Sequence, residues 1–175
     1  MKGMKSGVFR KRFWLTLGFV VMMTIMAAGP LFAAALTQEE KEWLLYMREE
    51  EKVARDVYKE LYKVWGLKIF SNIASSEQKH MDAIKTLLDR YGLEDPAKGP
   101  GVFSNPDLQA LYDALMIQGN SSATEALNVG VIIEETDIED LEKALDLTVH
   151  RDIKRVYTNL MAGSYNHLAA FESKL

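Results

Sequence analysis

Apolar residues recur at steps of three and four through four long segments of the chain, which is the spacing of one face of an α-helix. None of these segments shows the strict alternation that is typical of a β-strand. The sequence therefore predicts an all-α fold built from four long amphipathic helices. The predicted helices cover residues 37–65, about 71–91, 122 through 145, and about 152–173.

Local signals mark the ends of these helices. Capping boxes of the S/T-x-x-E type open the first and third helices, and a glycine stops each of the first two. These residues are Thr37 with Glu40, Ser122 with Glu125, Gly66, and Gly92.

A long connection separates the second helix from the third. Residues 92–121 contain three of the four prolines of the chain, and within them residues 106–118 suit a short helix with Asn105 as its cap and Pro106 at its first position. Two tight helical hairpins joined by one long connection form a bundle with a single crossover. We therefore expect a ferritin-like antiparallel four-helix bundle whose crossover carries a short extra helix.

The first 35 residues differ from the rest in composition. They hold five basic residues and no acidic one, then an apolar run over residues 13–28, then Gly29-Pro30 and the patch Ala33-Ala34-Ala35. This order is typical of a secretory signal peptide cleaved after Ala35. An uncleaved anchor helix is the alternative, but the run is shorter than the roughly 20 apolar residues of a span and a Gly-Pro pair ends it. We predict a signal peptide over residues 1–35 and an exported domain over 36–175, periplasmic or extracellular, with no stable membrane insertion after cleavage.

Charge and cysteine content narrow the classes of partner. The whole chain has a net charge of −4, and residues 36–175 hold 16 basic and 25 acidic residues, a net charge of −9. Nucleic-acid binding is not expected, because phosphate contacts need a basic face, whereas cations suit this balance. The chain has no cysteine, which excludes disulfides, iron–sulfur clusters and thiolate zinc sites.

Polar residues interrupt the apolar stripe near the middle of each predicted long helix. Burying several carboxylates together is very costly unless a positive charge lies among them. Histidine combined with carboxylate suits iron, manganese or zinc better than calcium or magnesium. The pattern therefore predicts a metal site in the core. Its inward-facing residues are Glu51, Glu77, His80, Glu134 and His167.

Each of these residues also has a simpler interpretation. Glu51 belongs to the run Glu49-Glu50-Glu51, and acidic runs usually form a solvated face. Glu134 is adjacent to Glu135, so a shift of one residue would exchange the two. His167 alone is more often a core histidine with a hydrogen-bond partner than a ligand. His150, at the junction of the last two helices, is expected to be a polar turn residue.

Two motifs resemble those of a known family. The segment from Glu51 to Tyr58 resembles the first-helix pattern E-x-x-A-R-x-x-Y of rubrerythrins. Glu77-x-x-His80 is similar to the second-helix motif of the wider ferritin-like di-metal carboxylate proteins. The resemblance covers about 37–175, and it looks closest to an exported ferritin-like family of unknown function. Full rubrerythrins contain cysteines that this chain lacks.

The resemblance implies a role for each residue. Glu51 and Glu134 would be carboxylate ligands of the first and third helices, and Glu77 would bridge two metals. His80 and His167 would be the imidazole ligands. The family motif has a glutamate where this chain has Ser164, and Asp137, one turn after Glu134, would partly replace it.

The resemblance also implies a function. It predicts an iron protein, with a di-iron centre or alternatively manganese or zinc, that acts as a ferroxidase- or peroxidase-type oxidoreductase on oxygen or peroxide. The alternative is an exported metal-binding or structural bundle with an incomplete site and no turnover, which Ser164 favours. Three tyrosines are candidate electron carriers, although packing is their commoner role: Tyr58, Tyr157 and Tyr165. The expected partners are metal ions, and a homodimer is compatible with the fold.

Overall fold

The computed structural model describes residues 35–175, and the predicted signal peptide lies outside them except for Ala35. This part of the chain contains five helices and no strand, which confirms the all-α prediction. No described helix is both long enough and apolar enough to cross a membrane. The helices are α1 (Gln38–Trp65), α2 (Lys68–Tyr91), α3 (Pro106–Gly119), α4 (Ala123–Leu147) and α5 (Arg151–Glu172).

The predicted signals place most of the helix ends correctly. At the start of α1 both arms of the capping box form, between Thr37 and Glu40. α1 ends at Gly66, whose φ of 67° lies in the left-handed region that glycine adopts without strain. α2 begins three residues earlier than predicted, because one extended residue, Leu67, completes the turn and brings Phe70 into the core.

The capping box predicted for α4 is only half formed. Ser122 accepts a hydrogen bond from the backbone of Glu125, as expected. The carboxylate of Glu125 instead accepts from Gln118 and Asn128, so it does not reach back to Ser122. One of these competing donors, Gln118, lies near the end of α3, outside the S/T-x-x-E pattern.

Four long helices form the bundle, and α3 packs against one side of it. α1 pairs with α2, and α4 pairs with α5. Tyr46 contacts Asp140 and Tyr58 contacts Glu134, so α1 and α4 run in opposite directions. The crossover carries α3 across α1 and α4. This is the predicted order of two hairpins and one long connection.

Buried charges of α1 hold the crossover in place. The Arg48 guanidinium makes a bidentate contact with Asp95 and also donates to the carbonyl of Met81. Lys52 is fully buried, and its ammonium lies 3.1 Å from the carbonyl oxygen of Val102 and 4.0 Å from the ring centroid of Phe103. Ion pairs of this kind are stable in a core only when every charge has a partner.

A polar layer divides the core into two apolar clusters. One cluster includes Leu44, Ile84 and Leu160, near one end of the bundle. The other includes Leu61 and Phe171, near the opposite end. Along each long helix, the inward polar residues occur between the residues of these two clusters. The candidate site is therefore enclosed by apolar packing on both sides.

Candidate metal centre

The structure brings the sequence-predicted site residues together in this polar layer. Glu51, Glu77 and Glu134 are each 2% exposed, and the two histidine side chains are about one-tenth exposed. Potential ligand atoms of Glu51, Glu77 and His80 lie within 4.8 Å of one another, and those of Glu77, Glu134 and His167 form a second such group. Glu134 is buried and Glu135 is exposed, so the predicted register on α4 is correct.

Glu77 is shared by the two groups. Its Oε2 atom lies 2.7 Å from Nδ1 of His80, and its Oε1 atom lies 2.8 Å from Nδ1 of His167. The other contacts are longer, 3.1 Å from His80 to Glu51 and 3.4 Å from His167 to Glu134. One carboxylate therefore presents one oxygen to each histidine, and each histidine has a second glutamate beside it.

The fit of His80 depends on a glycine of the neighbouring helix. Glu77 and His80 are three residues apart, so both side chains leave the same face of α2. The outer edge of the His80 ring lies against Gly163 of α5. A Cβ atom at position 163 would lie 2.7 Å from Nε2 of His80. The missing side chain thus makes room for the ring.

Tyr58 orients one of the carboxylates. Its hydroxyl donates a hydrogen bond of 2.6 Å to Oε1 of Glu134, and the ring is fully buried. Burial and the neighbouring carboxylates raise the pKa of Tyr58 well above its usual value, so it remains a donor. Tyr157 is buried in an apolar cluster, and Tyr165 is 49% exposed. Of the three tyrosines considered above, Tyr58 is the one hydrogen-bonded to the site.

Asp137 lies beside the two groups but is not a member of either. It is 5% exposed, and its Oδ2 atom accepts a hydrogen bond of 2.5 Å from Ser164. Ser164, at the position where the ferritin-like motif has a glutamate, therefore binds the aspartate that we expected to substitute for that glutamate. The Oδ1 atom of Asp137 has no hydrogen-bond partner.

Mutual repulsion and burial set the protonation of the carboxylates. Burial, together with Asp137 and Glu77, raises the pKa of Glu51 well above its usual value. Burial likewise raises the pKa of Asp137 to about 7 and that of Glu134 to about 7, although hydrogen bonds partly oppose this. Near neutral pH these groups therefore share protons, which a bound cation would displace.

Burial acts on the histidine pKa values in the opposite direction, but the neighbouring carboxylates outweigh it. Burial alone would lower the pKa of His167, but Glu134 and Glu77 raise it to about 9. Burial also opposes protonation of His80, and Glu77 more than compensates, so the pKa of His80 is raised. Glu77 itself has a lowered pKa despite its burial, because an imidazole nitrogen lies within 2.8 Å of each of its oxygens and stabilises its negative charge. The layer thus favours positive charge at its centre.

Several buried atoms of the layer lack hydrogen-bond partners. They include one oxygen of each of Glu51 and Glu77, and Nδ1 of His167. Nδ1 of His167 is close enough to Glu77 for a hydrogen bond but is not aligned for one. An unpartnered buried polar group costs about 1–3 kcal/mol, so several together need an explanation. All are carboxylate oxygens or imidazole nitrogens, the donor set of iron, manganese and zinc, and the residues present therefore fit a metal ion.

The acidic run of α1 is not a solvated face, and that interpretation is wrong. Glu49, Glu50 and Glu51 are all at most 5% exposed. Glu49 accepts backbone hydrogen bonds from Ser104 and Asn105 of the crossover, which no pattern local to α1 could reveal. Neither oxygen of Glu50 has a hydrogen-bond partner, and Glu50 is not on the apolar stripe that predicted Glu51.

His150 is more than a polar turn residue. It is the N-cap residue of α5, and its ring lies 2.8 Å from both carboxylate oxygens of Glu40. Glu40 also accepts the backbone N–H groups of Val149 and His150. One buried glutamate therefore stabilises the first turns of both α1 and α5.

Comparisons with known proteins identify a domain family that matches this chain and proteins that are similar to it in sequence or fold. The profile of an uncharacterised protein domain, DUF2202, matches residues 40–175. The uncharacterised protein MJ0754 of Methanocaldococcus jannaschii is 56% identical over 138 residues, which cover 78% of this chain and 75% of that protein. A crystal structure of hypothetical protein MJ0754 from Methanococcus jannaschii matches with a TM-score of 0.78 and 54% identity, over 82% of this chain and 83% of that one.

A more distant structure shares the fold alone. The crystal structure of a DUF305 fragment from Deinococcus radiodurans matches with a TM-score of 0.65 at 13% identity, over 79% of this chain and 96% of that one. These descriptions state no activity and do not mention ferritin-like proteins. The ferritin-like assignment therefore stays a prediction.

Proposed function

The chain belongs to the DUF2202 family of uncharacterised protein domains, and we propose that its core binds two divalent transition-metal ions that share Glu77. The observation that carries this proposal is the pair of three-residue groups with one residue in common. Glu51 and His80 would complete the ligands of one ion, and Glu134 and His167 those of the other.

The charge of the layer supports two ions. Three glutamates, when ionised, supply three negative charges, which two divalent ions compensate in a site where water cannot. Each ion would have three protein ligands, fewer than the coordination number that iron or manganese usually adopts. Positions would then remain for a small exogenous ligand. A mixed carboxylate and imidazole set favours iron, with manganese or zinc as alternatives.

The activity that best uses such a site is oxidation–reduction with oxygen or peroxide, of the ferroxidase or peroxidase type. The metal pair, when bound, would supply the electrons. The chain supplies the positioning, because Tyr58 fixes Glu134 and Gly163 admits the His80 ring. The two apolar clusters exclude water from both sides of the layer. We further propose that the protein acts after export, in keeping with the signal-like segment 1–35.

A second candidate function is metal binding without turnover. The hydrogen bond from Ser164 to Asp137 favours it, because the α5 position that holds a glutamate in the ferritin-like motif here binds a carboxylate of α4 instead of contributing one. The two candidates predict the same metal content and differ in reactivity. A homodimer is compatible with both.

Metal analysis with an isosteric variant tests the binding proposal. We expect about two ions per wild-type chain, and at least one ion fewer in Glu77→Gln, which loses the shared charge. Glu135→Gln is the matched control, since it removes the same charge from an exposed neighbour of Glu134. Equal metal content in wild type and Glu77→Gln would refute the proposal. Single-turnover oxidation of added ferrous iron by oxygen then separates the two candidates, because only the oxidoreductase accelerates it above the free-ion rate.

A further inference from the structure

Glu50 is a buried carboxylate that is not among the proposed metal ligands. It is 5% exposed, and both of its oxygens lack a hydrogen-bond partner. It borders a cavity of about 10 Å³ whose other lining residues are mostly apolar, including Val53 and Leu115. That volume can hold about one water molecule or one ion of similar size. A glutamate placed in this way requires either a proton or a cation.

In the register set by the Tyr46–Asp140 and Tyr58–Glu134 hydrogen bonds, Glu50 faces carboxylates of α4, and these and its neighbour on α1 act on it electrostatically. They are Asp137, Asp140 and Glu51. Asp137 also has an unpartnered buried oxygen. Asp137 in turn is close enough to act electrostatically on Glu77 and Glu134. Glu50 therefore lies next to the metal layer and has a second unsatisfied carboxylate beside it.

The same group of carboxylates extends to the surface. The side chain of Asp140 is 13% exposed and binds the exposed Lys143 with one oxygen. Its other oxygen accepts a hydrogen bond of 3.0 Å from Tyr46. Tyr46 lines an open groove of about 610 Å³ that is also bordered by Glu42 and Glu49. Asp140 thus joins the carboxylates around Glu50 to the surface, next to a tyrosine that borders this groove.

We propose that Asp140, Glu50 and Asp137 form an uptake path by which divalent cations reach the ligands around Glu77. This inference rests on the proposed metal binding and adds the route by which the ions arrive. Carboxylates spaced along a route replace the water molecules that an ion loses as it enters, and Glu50 and Asp137 have unpartnered oxygens for this purpose. Because no member of the path belongs to either three-residue ligand group, an ion would bind there weakly and move on.

The rate of metal loading tests the path. The probe is Co²⁺, whose visible absorption reports carboxylate and imidazole coordination and which oxygen does not readily oxidise in such a site. Stopped-flow mixing of the full chain, freed of metal with a chelator, gives the loading rate, and titration gives the number of ions bound. We expect Glu50→Gln to load roughly tenfold more slowly, with an unchanged number of ions at saturation.

Two further variants make the test specific. Asp140→Asn removes the outer carboxylate of the path, which belongs to neither ligand group, and should also slow loading. Glu135→Gln removes a charge from the exposed face of the same helix and should load at the wild-type rate. Comparison with this control separates the local path from the general effect of net charge.

The outcomes are distinguishable. If wild type binds Co²⁺ and both path variants load at its rate, the path is refuted and the proposed metal site stands. If Glu50→Gln binds fewer ions at saturation, Glu50 is a ligand and the uptake role is refuted. If wild type binds no Co²⁺, the proposed function fails, and the path fails with it.

Discussion

Gly163→Ala separates metal affinity from stability, because the added methyl group meets a single side chain. The new Cβ atom would lie 2.7 Å from Nε2 and 2.8 Å from Cε1 of His80, whereas ordinary contact begins at 3.4 Å. The ring must therefore retreat by about 0.7 Å. Ligand distances in metal sites tolerate only about 0.2 Å. We expect the ion next to His80 to bind roughly 10- to 100-fold more weakly, the range typical when the groups that orient a metal ligand are changed.

Stability should change in the opposite direction. The His80 ring is the end of a side chain that is 12% exposed, so it has some freedom to move. Alanine is favoured over glycine in a helix interior by about 0.5–1 kcal/mol. The metal-free variant should therefore unfold at equal or higher urea concentration than metal-free wild type. Calorimetric titration with Mn²⁺ and urea unfolding in the presence of chelator measure the two quantities.

Gly130→Ala is the matched control on the adjacent helix. Its Cβ atom would lie 2.6 Å from the ring of Phe171, which is fully buried and has no room to retreat. Overpacking of this kind costs about 1–3 kcal/mol, so this variant should lose stability and keep most of its metal affinity. Wild-type affinity in Gly163→Ala would refute the placement of His80 among the ligands.

Three further predictions follow from other contacts of the bundle. Lys52→Met leaves the buried carboxylate of Asp56 without its 2.6 Å ammonium partner, and should lower the free energy of unfolding by about 3 kcal/mol in urea titrations. Glu40, which is 1% exposed, has its pKa lowered from 4.5 to about 2, against the effect of burial, by hydrogen bonds to backbone and side chain. Its lowered pKa stabilises the fold above about pH 4.5, and this contribution of about 3 kcal/mol is lost as pH falls toward 2; unfolding of Glu40→Gln should therefore depend less on pH in that window. Ser164→Glu adds a buried carboxylate beside Asp137, so thermal scans should show a lower midpoint for the metal-free protein and recovery of most of the loss on adding Mn²⁺; an unchanged midpoint without metal would contradict the burial of position 164.

Periodicity was sufficient to predict the helices and the inward-facing polar residues, because both depend on residues three and four apart. The steps between Glu77 and His80, and between Glu134 and Ile138, are local facts of one helix. Register and burial at Glu51 were predicted in the same way. The prediction used no information from other helices.

The partners of buried charges could not be predicted, because they come from distant parts of the chain. Lys52 is buried against Val102, fifty residues away, and Glu49 against backbone groups of the crossover. A run of charged residues is interpreted as solvent-exposed when no sequence pattern predicts the loop that covers it. The hydrogen bond between Ser164 and Asp137 is another such contact. It joins two helices whose rotation relative to each other cannot be derived from local sequence patterns.

The position of the polar layer between two apolar clusters also restricts how the helices can be arranged along the bundle axis. Sliding one long helix by two turns, about 10 Å, would keep its apolar face inward but would move its charged residues into an apolar cluster. Such a displaced pairing would bury a glutamate or histidine among aliphatic side chains and would leave its former neighbours without their partners. The same side chains that we propose as metal ligands therefore discriminate against shifted and misaligned bundles, including those that form during folding before any ion is present.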